Sequence, residues 1–537
     1  MADETVLWWI KKDFRLNDNP ALCAALRSAG RVMPVFVFEP AVLKADDTSA
    51  FHVASWCEAL ADLKDRLGRF GGELLILNDH LPEAFDELHQ TVPFSAIYSH
   101  EEVGGNVTYQ RDKQVAQWCQ TAGVKWHELR QTAVFRCKDV DRDDRTDLWN
   151  RFMKAGVQPI PQPQDLARLQ VPEAAQQLAY SGELPAKAFG YQLTPSQQTN
   201  RQRVSETAAE ETLNSFLFER GIGYSSGISS PNTAFDVGSR LSVHLAWGTI
   251  TSRRVFAAAN ARMKALQGIG GPGGQKWRNS IRSFISRLHW RDHFMQRLET
   301  EPQMEFEPLC RPFDALPTPG DHFLEEWIAG QTGWPLIDAC MRCVAETGFL
   351  NFRMRALVVS AACHGLRIDW RLIHPPLARL WADYEPGVHF SQIQMQAGMA
   401  GINQLRVYSP DKQFAEQDPD AVFVRRWVPE LAHLSAAEIQ LRHMRPVPGY
   451  PKPPVDWETS SKQMKTDYFV IKKRPETRAA ALAVYEKHGS RKKARTLTPV
   501  KQSRPQDDGG PQQASLFDLD HLKLVSDKTI KKYSSSD

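Results

Sequence analysis

Four short apolar runs constrain the first part of this chain more than any other feature. They are "VLWWI" (Val6–Ile10), "VFVF" (Val35–Phe38), "LLIL" (Leu74–Leu77) and "AIYS" (Ala96–Ser99). Each is too short for a buried helix and is apolar throughout, so both faces must be covered; that is the pattern of a parallel strand inside a sheet. Amphipathic stretches such as Phe51–Phe70 and Tyr109–Thr121 lie between them with helical spacing. Strands that return in one direction through helices give a doubly wound parallel sheet. No G-x-G-x-x-G follows the first run. "KKDFRLNDNPAL" (Lys11–Leu22) stands there instead, so the dinucleotide fingerprint is missing.

The pattern then changes. Residues 131–205 are polar, with "PIPQPQD" and "LTPSQQTN", and read as a long connector with some helix. From 206 to 487 nearly every segment has helical periodicity, which predicts a large all-α domain. Beyond 488 the composition predicts a disordered tail. The expected order is therefore an α/β domain over 1–130, a connector over 131–205, a helical domain over 206–487 and a tail over 488–537.

No apolar run is long enough to span a membrane, and the N-terminus lacks a cationic region before an apolar stretch. Eight scattered cysteines fit reduced thiols, and a cytoplasmic protein is expected. Cys340 and Cys343 form a CxxC inside a helical pattern with no second pair, so they read as core thiols. A net charge of +3 does not by itself indicate a nucleic-acid binder.

Four stretches carry chemistry. In "GSRLSVHLAWGTIT" (Gly238–Thr251), Gly238, Ser239, Arg240 and Ser242 crowd the start of an apolar helical pattern that runs through Leu241, Leu245 and Trp247. Small polar groups, a cation and unpaired N–H groups at a helix start suit an anion; a plain serine N-cap is the competing reading. In "SFISRLHWRDHFMQRLE" (Ser283–Glu299), Ser283, Arg287, Trp290, Arg291 and Phe294 fall near one helical face. In "GQTGWPLIDACMRCVAETGFLNFRMRALVVSAACHGLRIDW" (Gly330–Trp370), Arg353 and Arg355 sit among apolar residues and need carboxylates, and a helix is expected to end at Trp370. Asp383 and Glu385 in "WADYEPGVHFSQIQMQAG" (Trp381–Gly398) can supply them.

Taken in order, these stretches resemble the photolyase/cryptochrome flavoproteins over roughly residues 5–485. The similarity rests on "WWIKKDFRLNDNPAL", "GSRLSVHLAWGTIT", "GQTGWPLIDACMR", "RIDW" and "RRWVPEL". It implies an antenna-bearing α/β domain and a helical domain holding FAD. By the resemblance, Gly238, Ser239, Arg240, Leu241 and Ser242 cradle the FAD phosphates, and Tyr224 contacts them from upstream. Arg355 and Asp383 form a pair against the flavin, with Glu385 and Arg291 also at the cofactor. Trp290 stacks the lesion, and Arg287, Arg353 and Arg406 hold DNA or the lesion edge. A light-dependent lyase acting on pyrimidine dimers in UV-damaged DNA is implied, with a repair-inactive cryptochrome photoreceptor as the alternative. A monomer is expected.

The chain departs from the family in three places. Trp370 matches the middle residue of the family's electron-relay tryptophans, but the flavin-proximal and distal positions carry none; Trp381, Tyr384 and Trp334 are the substitutes at hand. The glutamate and methionine that face cyclobutane dimers are Arg287 and Ala356 here. The residue expected opposite flavin N5 is His389 or Val388, where most photolyases have asparagine. "EEVGGNVTYQRD" (Glu101–Asp112) resembles the antenna-side segment and leaves folate and deazaflavin both open. In the tail, "QASLFDL" (Gln513–Leu519) is similar to the pentapeptide by which bacterial proteins dock on the sliding clamp, through Gln513, Ser515, Leu516 and Phe517.

Overall fold

The protein is described from a computed structural model covering residues 4–136, 140–141, 143–180, 190–441 and 446–489. The four apolar runs form strands β1 (Thr5–Ile10), β2 (Arg31–Phe38), β3 (Leu75–Asn78) and β4 (Ala96–His100). A fifth strand, β5 (Lys125–Leu129), completes an all-parallel sheet of order β3-β2-β1-β4-β5. The sequence reading lacks β5. Its residues, "KWHEL", are largely exposed, so the edge position imposes no apolar run. Central β1 is buried at every residue, and its register sets Trp8 opposite Pro34 and Tyr98. One face buries Trp8, Phe38, Trp56 and Leu60, and the other buries Leu7, Trp9, Phe85 and Ile97. The expected helices appear as Ala50–Gly68 and Asn106–Ala122.

The segment after β1 has a different task from the missing dinucleotide turn. Asn19 caps helix Pro20–Ser28 by accepting from Leu22 N at 2.9 Å. Arg15 donates to Gly248 O at 2.8 Å, Asp18 pairs with Arg253 at 2.6 Å, and Leu16 N donates to Glu206 at 2.7 Å. The motif is thus a clasp holding the sheet to the helical half. The polar stretch after β5 also packs closely. Val32 N donates to Arg168 O and Gln170 N to Val32 O, so part of it runs beside β2.

The helical half is built around Gly271–Thr300, 30 residues and about 45 Å long. Helix Pro386–Ala397 crosses it closely at Gly387, where a Cβ would lie 2.5 Å from Met295 Cα. Helix Phe352–Ser360 continues through a π-helical turn to Leu366. The next helix begins at Trp370, rather than ending there, because Asp369 accepts from Arg371 N at 2.7 Å and caps it. Cys340 and Cys343 are fully buried core thiols in helix Pro335–Thr347, and burial pushes the Cys343 thiol up to about 12. Among the described residues no cluster suits a metal ion, and no helix is long and apolar enough to cross a membrane.

The halves meet along residues 379–384. Within the helical half Trp247 Nε1 donates to Ala382 O at 2.8 Å, and from the sheet half the His52 ring contacts Trp381 O at 2.9 Å. Arg379 reaches Asp46 O at 2.5 Å, and the Tyr384 hydroxyl donates to Asp47 at 2.6 Å.

Candidate functional site

The loop leading to Arg240 is held from behind by Arg220. Its guanidinium donates to the carbonyls of Gly238 and Ser239, the latter at 2.7 Å, and to Ser215 Oγ at 2.7 Å. Gly238 is required for packing, since a Cβ there would lie 2.4 Å from Ala234 O. Neither serine caps the helix. Helix Ser242–Trp247 has only six residues and starts after Leu241 without a side-chain cap, and Ser242 is exposed. So short a helix contributes little field, and an anion at this loop would be met chiefly by Arg240.

Arg240 is the unusual residue of this loop. Its backbone is left-handed at φ +58°, a conformation that non-glycine residues rarely hold without a functional or packing reason. Gln202 fixes the carbonyl at 2.7 Å. The guanidinium sits 3.7 Å from the Phe349 ring centroid and 5.0 Å from Phe235, and its Nη1 is buried without a partner. Burial pulls it down to about 10, and Asp383 offsets this only in part. A desolvated arginine with a spare donor is built to receive an anion.

The expected acid–base pair is present. One Arg355 nitrogen donates to both Asp383 oxygens at 2.9 and 3.0 Å. Arg355 Nε is anchored on Leu350 O at 2.8 Å, and the guanidinium lies 4.3 Å over Trp381. Glu385 pairs with Arg291 at 2.8 Å, while Arg291 also reaches Leu245 O and Asp292. Burial raises the Glu385 carboxyl against the pull of Lys12 and Arg291, and its Oε1 has no partner. Asn351 spends its amide on Ile228 O and Ser229 O, leaving Oδ1 buried and unsatisfied.

Of the two residues expected opposite the flavin, Val388 packs with Val103, Val134 and Met295 toward the α/β half. His389 is buried with Nε2 unpaired, 5.1 Å from Tyr384 and 5.9 Å from His374 between ring centroids. Burial, then the neighbouring His374, holds its imidazole well below the usual range, so it is neutral.

Tyr224 is buried against Phe216 and Phe284, and its hydroxyl accepts from Arg287, which stacks 4.8 Å from Phe352. Arginine at the family's glutamate position therefore engages the very tyrosine expected at the phosphates. Trp290 is half-buried beside His293 and Phe294. Arg353 and Arg406 are half-buried, and Arg353 Nε has no partner. Trp370 is buried 6.4 Å from His374 and so connects to His389 through that ring. Trp334 pairs instead with Trp457.

Five buried polar atoms are left unsatisfied around these residues: Arg240 Nη1, Asn351 Oδ1, Arg353 Nε, Glu385 Oε1 and His389 Nε2. A buried polar atom without a partner calls for a ligand or water, and four of these five belong to residues that the sequence singles out, namely Arg240, Arg353, Glu385 and His389. The set combines cationic donors with carboxylate and amide acceptors. It fits a molecule with a diphosphate at one end and N–H and O–H groups at the other, as FAD has. Sequence reasoning missed Arg220, Gln202 and Asn351, which no periodicity marks, and the contributions of His52 and Asp47 from the α/β half.

A different charged cluster sits at the carboxyl ends of β1 and β4, where the strand order reverses and α/β sheets usually bind ligands. Arg111 pairs with Glu39, Glu102 and Asp112; Arg136 pairs with Asp112 and Glu128; Lys11 reaches Asp112 and Glu128. Arg111 and Lys11 also lie 4.9 and 4.6 Å from the Trp9 ring. Glu102, Arg111 and Asp112 come from the segment expected to face an antenna.

The family model described as DNA photolyase matches residues 6–164, and that described as the FAD binding domain of DNA photolyase matches residues 284–469. A deoxyribodipyrimidine photo-lyase of Synechococcus sp. is 27% identical over 87% of this chain and 97% of its own length. A bacterial class III photolyase from Agrobacterium tumefaciens has the same fold, with TM-score 0.75 and 24% identity over 88% of this chain and 99% of that one. So does an archaeal photolyase from Sulfolobus tokodaii with two FAD molecules, with TM-score 0.70 and 24% identity over 87% of this chain and 100% of that one.

Proposed function

Since this chain belongs to the photolyase/cryptochrome family, we propose that it is a DNA photolyase, a light-dependent lyase that splits UV-induced pyrimidine dimers. The carrying observation is the set of unsatisfied buried polar atoms on Arg240, Asn351, Arg353, Glu385 and His389. The cofactor is FAD, which when bound and reduced would supply the light-driven one-electron chemistry that dimer splitting needs.

The residues have distinct parts. Arg240 holds the diphosphate, with Ser239, Leu241 and Ser242 beside it and Tyr224 behind. Arg355, fixed by Asp383, sets a cation near the ring and favours its anionic form. Glu385, oriented by Arg291, accepts from hydroxyl or amino groups. His389 stays neutral and adds no charge beside the ring. Trp290 offers a plate for a base extruded from the duplex, since a stacked dimer cannot reach a buried cofactor. Arg287, Arg353 and Arg406 face the lesion or its phosphates. Arginine can only donate hydrogen bonds, so Arg287 would address carbonyl oxygens of the lesion where the family's glutamate also accepts from an N–H.

The deciding assay incubates photoreduced protein with UV-irradiated oligonucleotides under blue light. Restored base absorbance with cyclobutane or six–four substrate is the expected result. Restoration with neither removes the lyase reading and leaves a cryptochrome.

The remaining readings belong to the same proposal. The domain limits are 1–130, 131–205, 206–487 and 488–537, in a monomeric, cytoplasmic protein. An antenna, folate or deazaflavin, is identified by extracting the purified protein and separating its chromophores. The clamp-like segment Gln513–Leu519 lies outside the described residues. A peptide spanning Pro511–His521 tests it by titration with bacterial sliding clamp, where binding near micromolar is expected and should vanish with Leu516→Ala plus Phe517→Ala.

A further inference from the structure

Tyr384 and Asp47 form a contact that the proposed reaction has not used. The tyrosine is 6% exposed, yet its hydroxyl donates to the Asp47 carboxylate at 2.6 Å across the seam between the halves. Its ring lies 5.1 Å from His389 at 82° and is stacked on His52 at 5.6 Å and 14°. A buried phenol hydrogen-bonded to a carboxylate can release an electron and a proton together, because the acceptor for the proton is already in place.

One competing donor, Trp370, is placed less favourably. Trp370 reaches His389 only through His374, over centroid steps of 6.4 and 5.9 Å. Its indole Nε1 is buried without a partner, and the Arg371 guanidinium lies 5.1 Å from its ring. Oxidised Trp370 would keep its positive charge in a buried site beside another cation. Tyr384 becomes neutral on oxidation, since the proton moves to Asp47. Among the described residues the rings that touch His389 are Tyr384, His374 and Phe390, and of these only the tyrosine is readily oxidised.

We propose that Tyr384 is the electron donor that activates the flavin, with Asp47 as the acceptor of its proton. This rests on the flavoprotein reading above. In blue light Tyr384 gives one electron to the oxidised flavin, and its O–H bond breaks as the proton passes to Asp47. What remains is a neutral tyrosyl radical and a protonated aspartic acid. A thiol in solution then returns one electron, Asp47 returns the proton, and the thiol loses its own proton to water; a second flash repeats the cycle, because full reduction of the flavin takes two electrons. Asp47 is only half-buried, so the seam is open to solvent on that side.

The test uses the full-length, flavin-loaded protein in its oxidised state. Its visible flavin band is checked first; a parent without flavin would sink the functional reading and is thereby told apart from failure of this inference. A blue flash is followed by transient absorption and by electron paramagnetic resonance on protein grown with ring-deuterated tyrosine. The expected signal is a neutral tyrosyl radical whose hyperfine pattern narrows on deuteration; a tryptophan radical alone overturns the assignment without any mutation. Tyr384→Phe should abolish that signal and lower the yield of photoreduction at least about tenfold. Should this variant fail to hold flavin, Asp47→Asn decides, because it leaves the ring in place. It should lower the yield and remove the slowing seen in deuterated water, and Asp47→Glu should restore both. An unchanged yield and isotope effect in Asp47→Asn overturns the proposal.

Discussion

The two buried charged clusters are built from the same residue types and differ in completeness. At the carboxyl ends of β1 and β4, Lys11, Arg111 and Arg136 face Glu39, Glu102, Asp112 and Glu128, and each cation touches at least two carboxylates. Four acids against three cations leave one excess negative charge, and burial raises the Glu39 carboxyl to about 7, so that a proton can neutralise it. In the helical half, Arg240 has no ion pair and Glu385 and Asn351 keep unsatisfied oxygens. A closed cluster is a structural device. An open one leaves donors and acceptors that a ligand could use.

Acid should separate the two regions most strongly. Burial lowers His52 and His374 to about 4 and His244 to about 3, and all three lie in or beside the helical half's site. Their folded values fall below the free-histidine value of about 6.5. The unfolded chain therefore binds more protons between pH 6.5 and 4, and stability is lost as pH falls through that window. Each histidine contributes about 1.4 kcal/mol per pH unit. Asp112, held near 2 chiefly by Lys11 and Arg111, stays ionised throughout. Urea unfolding at stepped pH should show this slope, and a flat profile would mean that these imidazoles are not buried as described.

Next in size is Arg111→Met. It strands carboxylates in the sheet crevice and should destabilise the protein by about 3–5 kcal/mol. Flavin content per folded molecule should not change. A loss of flavin at full stability would invert the comparison.

Arg240→Met should do the opposite. Flavin affinity falls about tenfold to a hundredfold, as for a lost charge-assisted hydrogen bond. The flavin-free protein keeps or gains stability, since an uncompensated charge has left the interior. Titrating the apoprotein by flavin fluorescence and melting it with and without FAD reads both effects. The smallest expected change is Glu39→Gln, below about 1 kcal/mol by urea unfolding, because burial raises that carboxyl to about 7 and it is already about half protonated at neutral pH. A larger loss would show the crevice to be held by a fourth ionised acid.

Much of this was legible beforehand. The strands read as apolar runs because burial on both faces leaves no alternative, and β5 escaped because an edge strand has no such requirement. Arg355–Asp383 was legible as a cation among apolar residues with an acid available downstream, although Arg355 is half-buried and not fully so. Arg240 was picked out, but for a helix terminus that proves too short. The closed crevice was invisible: Glu39 and Arg111 are far apart in sequence, and no pattern names a partner. For the same reason Tyr384 could be suspected as an electron donor, while Asp47, which makes it a plausible one, could not.

The seam has a consequence for ancestry. Residues 381–384 carry Asp383, yet they are gripped from the other half by the His52 ring on Trp381 O and by Asp47 on Tyr384. A breakpoint in the polar stretch between the halves looks harmless from composition alone. A recombinant that grafts this helical half onto a foreign sheet domain would inherit the proposed cofactor residues without the wall that holds Asp383's segment in place. Exchange at that junction is tolerated only if the incoming domain brings its own counterparts of His52 and Asp47, so the two halves are expected to descend together.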